Sequence, residues 1–210
     1  FIFIFFSSIL HADILFTESF NTPNTLPDGW TYDQYFDPVT GEIELSTSGK
    51  DNWRISTTNS TWQETDDGYT PPAAEFWYEP RIPTDYGPNQ PSAFDTWYEL
   101  SLYSPEIDVG DDNAVIVEFD ISLNYWNTAT AHKNGMAIET NGGDGWSEML
   151  KYEVGGQGAG TNFDSNIRTE SFIANVESGI LQIRWRAYGS DSYFINAWII
   201  DNVNVIALPQ

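Results

Sequence analysis

The 210-residue sequence contains no cysteine and only two histidines, His11 and His132. The absence of cysteine excludes disulfide bonds, cysteine-ligated zinc and thiol catalysis. With two histidines a histidine-rich metal centre is impossible, and a Ser-His-Asp triad would have to use His132. His132 lies in the polar stretch 130–135, which is typical of a loop. We therefore expect no catalytic role for it.

Basic residues are also scarce: 8 lysines and arginines stand against 31 aspartates and glutamates, a formal net charge of −23. A surface of this sign repels nucleic acid phosphates and anionic lipid headgroups, and no basic stripe offsets the repulsion. We therefore expect no nucleic acid partner. Two explanations of the acidity stay open at this point, namely high solubility in a salty medium and the binding of hard cations such as calcium.

The sequence has no apolar run long enough to cross a bilayer, so we expect no membrane insertion. The nearest candidate is the run at residues 1–10, which is followed by His11 and Ala12. An apolar stretch of this length before a small residue fits the end of a secretory signal peptide. A buried β-strand is the alternative, because Phe and Ile favour strands. We interpret residues 1–12 as a signal peptide remnant and residues 13–210 as one domain, secreted or at the cell surface.

The apolar residues that are present follow a β pattern. Hydrophobic residues make up 40% of the chain, too much for a disordered segment. In residues 114–126 apolar side chains occupy the odd positions, and the even positions, ending at Trp126, form the other face, which predicts a long half-buried antiparallel strand. Further strands are predicted at 14–20, 52–56, 74–78, 99–103, 135–140, 146–154, 171–176, 180–188 and 193–206. Gly, Pro, Asn and Asp separate them, as in an all-β sandwich.

Two more expectations concern side chains in this sandwich. In residues 180–188, Arg184 and Arg186 face outward, and we expect them to pair with acids such as Glu118 or Asp120 on neighbouring strands. Most tryptophans in a sandwich belong to the core. We assign four of them to it: Trp30, Trp53, Trp185 and Trp198.

Seven short segments, taken in order, resemble one known family. They are residues 16–20 (FTESF), 26–30 (LPDGW), 51–53 (DNW), 104–108 (SPEID), 117–120 (VEFD), 139–146 (ETNGGDGW) and 198–203 (WIIDNV). Together they resemble cleaved-adhesin domains, also called choice-of-anchor J domains, which are relatives of MAM domains. Two departures are Asn141, where the hairpin of the family usually has Asp, and a long insert at 57–91.

The resemblance implies an antiparallel jelly-roll β-sandwich, MAM-like and galactose-binding-domain-like, in an extracellular setting and without catalysis. It also implies a structural calcium near the chain ends, held by Glu18, Asp51 and Asp201. Glu18 and Asp201 interrupt otherwise apolar strands, where a lone carboxylate is costly to bury, and calcium takes six to eight oxygen ligands. Alternatively, these two carboxylates face solvent or accept backbone hydrogen bonds.

The first functional hypothesis is a binding domain for an extracellular glycan or protein. Its predicted surface is the outward face of residues 114–126, where an indole lies beside groups that bond hydroxyls: Trp126, Asn124, Ser122 and Asp120. Trp62, Trp77 and Trp97 form a possible second platform. The alternatives are an accessory or catalytic jelly-roll domain of a secreted hydrolase, glycosidase or protease, and a structural subunit of a surface layer. With 31 acids, a carboxylate pair at catalytic spacing has little discriminating value.

Overall fold

Twelve β-strands and no helix make up the part of the chain described by the computed structural model: residues 12–33, 53–56, 72–76, 98–125, 133–154, 167–189 and 195–208. The strands form two antiparallel sheets that pack face to face. The fold is therefore an all-β sandwich, as the alternating sequence pattern predicted.

The first sheet contains the two longest of the described strands, which lie next to each other in it. Its strands lie in the order β10 (Arg168–Asn175), β7 (Ala114–Tyr125), β12 (Ile195–Ala207), β4 (Ala74–Phe76) and β3 (Trp53–Ile55), and β1 (Ile14–Glu18) pairs with the last part of β12. The first and last strands of the described chain are thus hydrogen-bonded neighbours.

The second sheet contains the other six strands. They lie in the order β2 (Thr31–Tyr32), β5 (Tyr98–Tyr103), β11 (Ile180–Gly189), β8 (Asn134–Asn141) and β9 (Trp146–Val154), and β6 (Ile107–Asp108) pairs with the start of β11. The β2 and β6 strands have no counterpart among the strands predicted from the sequence, because two residues are too few to show a period of two.

The core lies between the sheets and takes alternate residues of β7 and β11, whereas β8 is buried on both of its faces. The odd-numbered side chains of β7 from Val115 to Leu123 are fully buried, and so are those of Leu181, Ile183 and Trp185 on β11. The four tryptophans assigned to the core are all buried, which confirms that prediction. Trp30 stacks on Trp185 with ring centroids 5.7 Å apart.

An irregularity in β12 interrupts its alternation at a position that matters for the candidate site. Asp201 pairs with Asp120 of β7, but the next partner of β7 on this strand is Asn204, opposite Glu118. One extra residue is therefore inserted on β12, a β-bulge. Asn202 adopts a φ of 49°, a left-handed conformation that Asn tolerates better than most residues. The bulge allows Trp198 and Val203, of opposite parity, both to be buried.

The turn between β8 and β9 packs against the turn between β10 and β11. Asn141 Oδ1 accepts hydrogen bonds from the backbone N–H groups of Gly143 and Gly145, 3.1 and 3.2 Å away. Asn at this position thus performs the turn-forming role that Asp performs in such hairpins. A side chain at Gly142 would collide with the backbone of Asn175, so a glycine there is needed for the two turns to touch.

The strand bounds agree closely with the predicted ones, the largest difference being β10, which begins at Arg168 instead of Ser171. Several predictions lie outside the described residues: the signal peptide remnant, Asp51, Trp126, His132, and Trp62, Trp77 and Trp97. In the part of the chain that is described, no helix has the length and apolar character needed to cross a membrane.

Candidate functional site

Three carboxylates from three strands form the first candidate site, which we call the acidic cluster: Glu18, Asp120 and Asp201. Asp201 pairs with Asp120 immediately before the β12 bulge. Asp120 Oδ2 accepts a hydrogen bond from the Asn202 side-chain amide at 2.8 Å. Asp120 Oδ1 accepts a second hydrogen bond from the Thr169 hydroxyl at 2.6 Å. Among the described residues, none of the three carboxylates makes an ion pair.

Asp201 is the electrostatically perturbed member of the acidic cluster. Only 9% of its surface is exposed, and its Oδ1 accepts a hydrogen bond from the Asn202 N–H at 2.8 Å. Burial, together with the negative charges of Asp120 and Glu18, raises the pKa of Asp201 to about 6. The structure thus brings Glu18 and Asp201, predicted from the sequence to act together, within electrostatic reach of each other, and adds Asp120 to them.

The acidic cluster offers the donor chemistry of a calcium site but not a complete ligand set. Its carboxylate oxygens are the hard ligands that calcium prefers. However, Glu18 Oε1 already accepts hydrogen bonds from the N–H groups of Ser19 and Phe20, at 2.9 and 2.7 Å. No group of three or more acidic or histidine side chains in the described ranges has the arrangement of an assembled metal site. A calcium ion here would therefore need further oxygen ligands.

The structure revises the set of residues that was predicted to form a glycan surface on the outer face of β7. Ser122 is fully buried, and so is its cross-strand partner Ile199, although both belong to the outward face of the sheet. Ser122 is therefore wrongly assigned to an exposed ligand site: alternation indicates which face a side chain is on, not whether that face is open to solvent. Asn124 is half-buried, and Asp120 belongs to the acidic cluster.

The outer face of the second sheet carries a different set, which we call the arginine cluster: Glu139, Arg184 and Arg186. Arg184 Nε donates to Glu139 Oε2 at 2.6 Å. Arg186 binds the same carboxylate through two nitrogens, at 2.9 and 3.0 Å. The predicted pairing of the two arginines with Glu118 or Asp120 is wrong, because β11 and β7 belong to different sheets.

Both arginines act on the ionisation of Glu139. The carboxylate is 6% exposed, and burial by itself would raise its pKa. The hydrogen bonds and positive charges of Arg186 and Arg184 outweigh the burial and lower the pKa of Glu139 below its ordinary value. Glu139 therefore stays ionised and fixes the direction of both guanidinium groups.

An aromatic pair flanks the arginine cluster. The guanidinium carbon of Arg184 lies 4.4 Å from the ring centroid of Trp146, within cation–π distance. Tyr103 meets the same indole edge to face, with centroids 5.9 Å apart. Tyr103 is itself held by its hydroxyl, which donates to Asp33 at 3.2 Å. Trp146 and Tyr103 are both half-buried, so each ring keeps some surface in contact with solvent.

A second ion-pair group extends this face toward the other end of the sheet. Glu153 accepts from Lys133 at 2.9 Å, from Lys151 at 3.2 Å and from the Tyr188 hydroxyl at 2.8 Å. Burial opposes its ionisation, but the hydrogen bonds from Lys133, Tyr188 and Lys151 lower the pKa of Glu153 to about 2. With Arg184 and Arg186, this face holds four of the 8 basic residues of the chain.

The sequence analysis singled out several residues of this face but did not predict that they lie together. Arg184 and Arg186 were assigned to an outward face, and Trp146 closed a family-like hairpin. Their common partner Glu139 becomes apparent only when β8 and β11 are known to pair, with Glu139 opposite Arg184. That pairing is a choice among many possible strand orders, and local alternation does not contain it.

Comparison with known proteins supports the fold. No protein-family model matches the sequence, and no curated protein matches it. Among solved structures, the K3 cleaved adhesin domain of Lys-gingipain from Porphyromonas gingivalis W83 is similar at 14% identity, with a TM-score of 0.55 over 93% of this chain and 99% of that one. The K1 domain of the same protein gives 14% identity and a TM-score of 0.51, over 92% and 98% of the two chains.

At this level of identity the likeness concerns the fold alone. The sandwich that the resemblance to cleaved-adhesin domains implied is therefore confirmed, and membership of that family stays a prediction.

Proposed function

We propose that the chain is a non-catalytic binding domain that works outside the cell and takes a glycan on the outer face of its second sheet. The observation that carries the proposal is the Trp146 indole on that face, which contacts both the Arg184 guanidinium and the Tyr103 ring. The fold, which the K3 and K1 adhesin domains share, supports a binding role in an extracellular setting.

The chemistry of the face suits a sugar ring. Aromatic side chains pack on the apolar side of a sugar, and a few fixed polar groups select its orientation. In the described residues, Arg184 uses only Nε for its bond to Glu139, so Nη1 and Nη2 are available as donors to ligand hydroxyls or a carboxylate. Because Glu139 fixes the guanidinium, those donors are held in place before a ligand arrives.

We further propose that a structural calcium stabilises the domain at the acidic cluster, with Glu18, Asp51 and Asp201 as ligands and Asp120 beside them. The support is the raised pKa of Asp201, which burial and two neighbouring negative charges cause. A divalent cation would favour the ionised form of all these carboxylates at once. The ion would join the first and last strands of the described chain and so supply stability, with no part in catalysis.

The test is a binding screen of the whole chain against neutral and acidic oligosaccharides and against extracellular matrix proteins, run in calcium and in chelator. The proposal predicts that at least one glycan class binds and that competition with that glycan protects the Trp146 indole from fluorescence quenching. Binding of proteins alone, with no glycan response, would contradict it and favour a protein ligand. The surface around Trp126 stays a separate prediction, now without Ser122.

A further inference from the structure

A polar cavity of about 190 Å³ lies where the β8–β9 turn meets the β10–β11 turn. This is several times the ~30 Å³ that one water molecule occupies in the liquid. Its walls include two carboxylates, Asp144 and Glu177, together with Ser147, Asn175 and the apolar side chain of Met149. The cavity does not include any residue of the acidic cluster or of the arginine cluster.

The polar side chains around the cavity are not used by the fold. In the described part of the chain, Asp144, Ser147, Asn175 and Glu177 make no side-chain hydrogen bond and no ion pair. Polar groups that stabilise a turn normally bond to its backbone, as Asn141 does here. These four side chains are therefore free to bond to a ligand.

Thr140 provides the second and independent observation. It lines the same cavity, is only 4% exposed, and makes no side-chain hydrogen bond to any described residue. Its hydroxyl oxygen is not one of the fully enclosed polar atoms that lack a hydrogen bond, so the oxygen keeps contact with solvent although the residue is nearly buried. A hydrogen-bond donor that enters the cavity can therefore reach this hydroxyl.

The cavity walls are held rigidly. The Gly142 carbonyl oxygen accepts from the N–H groups of Glu177 and Ser178, at 2.8 and 3.0 Å, and from the Ser178 hydroxyl at 3.1 Å. These bonds fasten one turn to the other, so Asp144 and Glu177 are carried by two turns of fixed relative position. A site of this kind needs little ordering when a ligand enters.

We propose that this cavity, which we call the turn cavity, binds a lysine or arginine side chain of a basic protein partner. Two carboxylates, one amide and two hydroxyls accept hydrogen bonds from a cationic group, and Met149 offers apolar contact to its methylene stem. No basic residue and no aromatic ring lines the cavity among the described residues, which disfavours an anion and a stacked sugar. The net charge of −23 attracts basic partners over longer distances.

The test uses three probes of similar size in NMR titrations of the whole chain: Nα-acetyl-lysine amide, its Nε-acetylated form, and glucose. We expect the lysine probe to shift the amide signals of residues 142–147 and 175–178, and the acetylated form, which lacks the charge, to bind about tenfold more weakly or worse. Added salt should weaken the lysine response. Equal responses to the charged and acetylated probes, or a response to glucose alone, would overturn the proposal.

The variant D144N/E177Q should abolish the lysine response, and Thr140→Val should weaken it while leaving the fold intact. The matched control D28N/E106Q also removes two negative charges, but from positions that do not line the cavity, and it should retain the response. If the control loses it equally, the effect is general electrostatics and the turn cavity is not the site. Glycan binding by D144N/E177Q should be unchanged, so failure here and failure of the glycan proposal are distinguishable.

Discussion

The two outer faces of the sandwich carry carboxylates in opposite electrical surroundings. On the first sheet, Asp201 has two negative neighbours and its pKa is raised to about 6. On the second, Glu139 has two arginines and its pKa is lowered, although it is as well buried as Asp201. Burial acts in the same direction on both groups, so the neighbouring charges decide the outcome.

The two sites therefore differ in what surrounds the negative charge of a buried carboxylate. The arginine cluster supplies its own positive charge from β11, and every charged partner comes from the protein. The acidic cluster collects three carboxylates from β1, β7 and β12, and no ion pair forms there among the described residues. This contrast is the reason why we propose polar recognition for the first arrangement and cation-dependent stability for the second.

The largest expected effect comes from breaking the arginine cluster. Glu139→Gln leaves two largely buried guanidinium groups without their carboxylate, and removal of one partner of such a network costs about 3 kcal/mol. Urea unfolding should show this loss in the free energy of unfolding. The matched control is Glu99→Gln, since Glu99 is 65% exposed and 3.7 Å from Arg186. A surface pair of that kind contributes roughly 0 to 1 kcal/mol, so a loss as large as that of Glu139→Gln would contradict the account.

Calcium should produce the next largest effect, at the acidic cluster. An ion that binds only the folded state at a hundredfold excess over its Kd stabilises that state by about 2.7 kcal/mol. Chelator should therefore lower the melting temperature of the wild type, while Asp201→Asn should be insensitive to chelator. Asp28→Asn, a charge change outside the cluster, should keep the full response. An unchanged response in Asp201→Asn would remove Asp201 from the site.

A smaller effect of opposite sign is expected for Asp201→Asn in chelator. The pKa of Asp201 is raised in the folded state from 3.8 to about 6, so the folded protein binds the proton more tightly than the unfolded chain. The difference in stability, wild type minus variant, should therefore fall as the pH rises from about 4 to about 6 and then stay level. At pH 7 the variant should therefore be more stable than the wild type. If Asp201→Asn is less stable than the wild type at pH 7 in chelator, the carboxylates of the acidic cluster do not repel one another enough to destabilise the fold.

The sequence predicted the sandwich well for a definite physical reason. The long strands β7 and β11 bury alternate residues. A one-residue error would turn the apolar side chains of such a strand outward, so alternation in residues 114–126 was a reliable guide. The pairing of Asp201 with Glu18 came from the family resemblance, and the part played by Asp120 depends on the register and bulge of β12.

What the sequence did not predict depends on contacts between distant segments. Ser122 has the alternation of an outward residue, yet it is buried, because alternation says nothing about what covers a sheet face. The partner of Arg184 and Arg186 depends on strand order, which is decided by the packing of the whole chain. The turn cavity likewise forms only where two separate turns meet.

The most direct test of the glycan proposal is calorimetric titration of the best glycan from the screen into the wild type, Trp146→Ala and Ile173→Ala. Trp146 lies against Arg184 on the proposed face, whereas Ile173 is an apolar residue, 55% exposed, on the other sheet. The account predicts that Trp146→Ala weakens binding by about 1 to 2 kcal/mol, the contribution of a good aromatic contact, while Ile173→Ala binds as the wild type does. Equal affinity of all three proteins would contradict it.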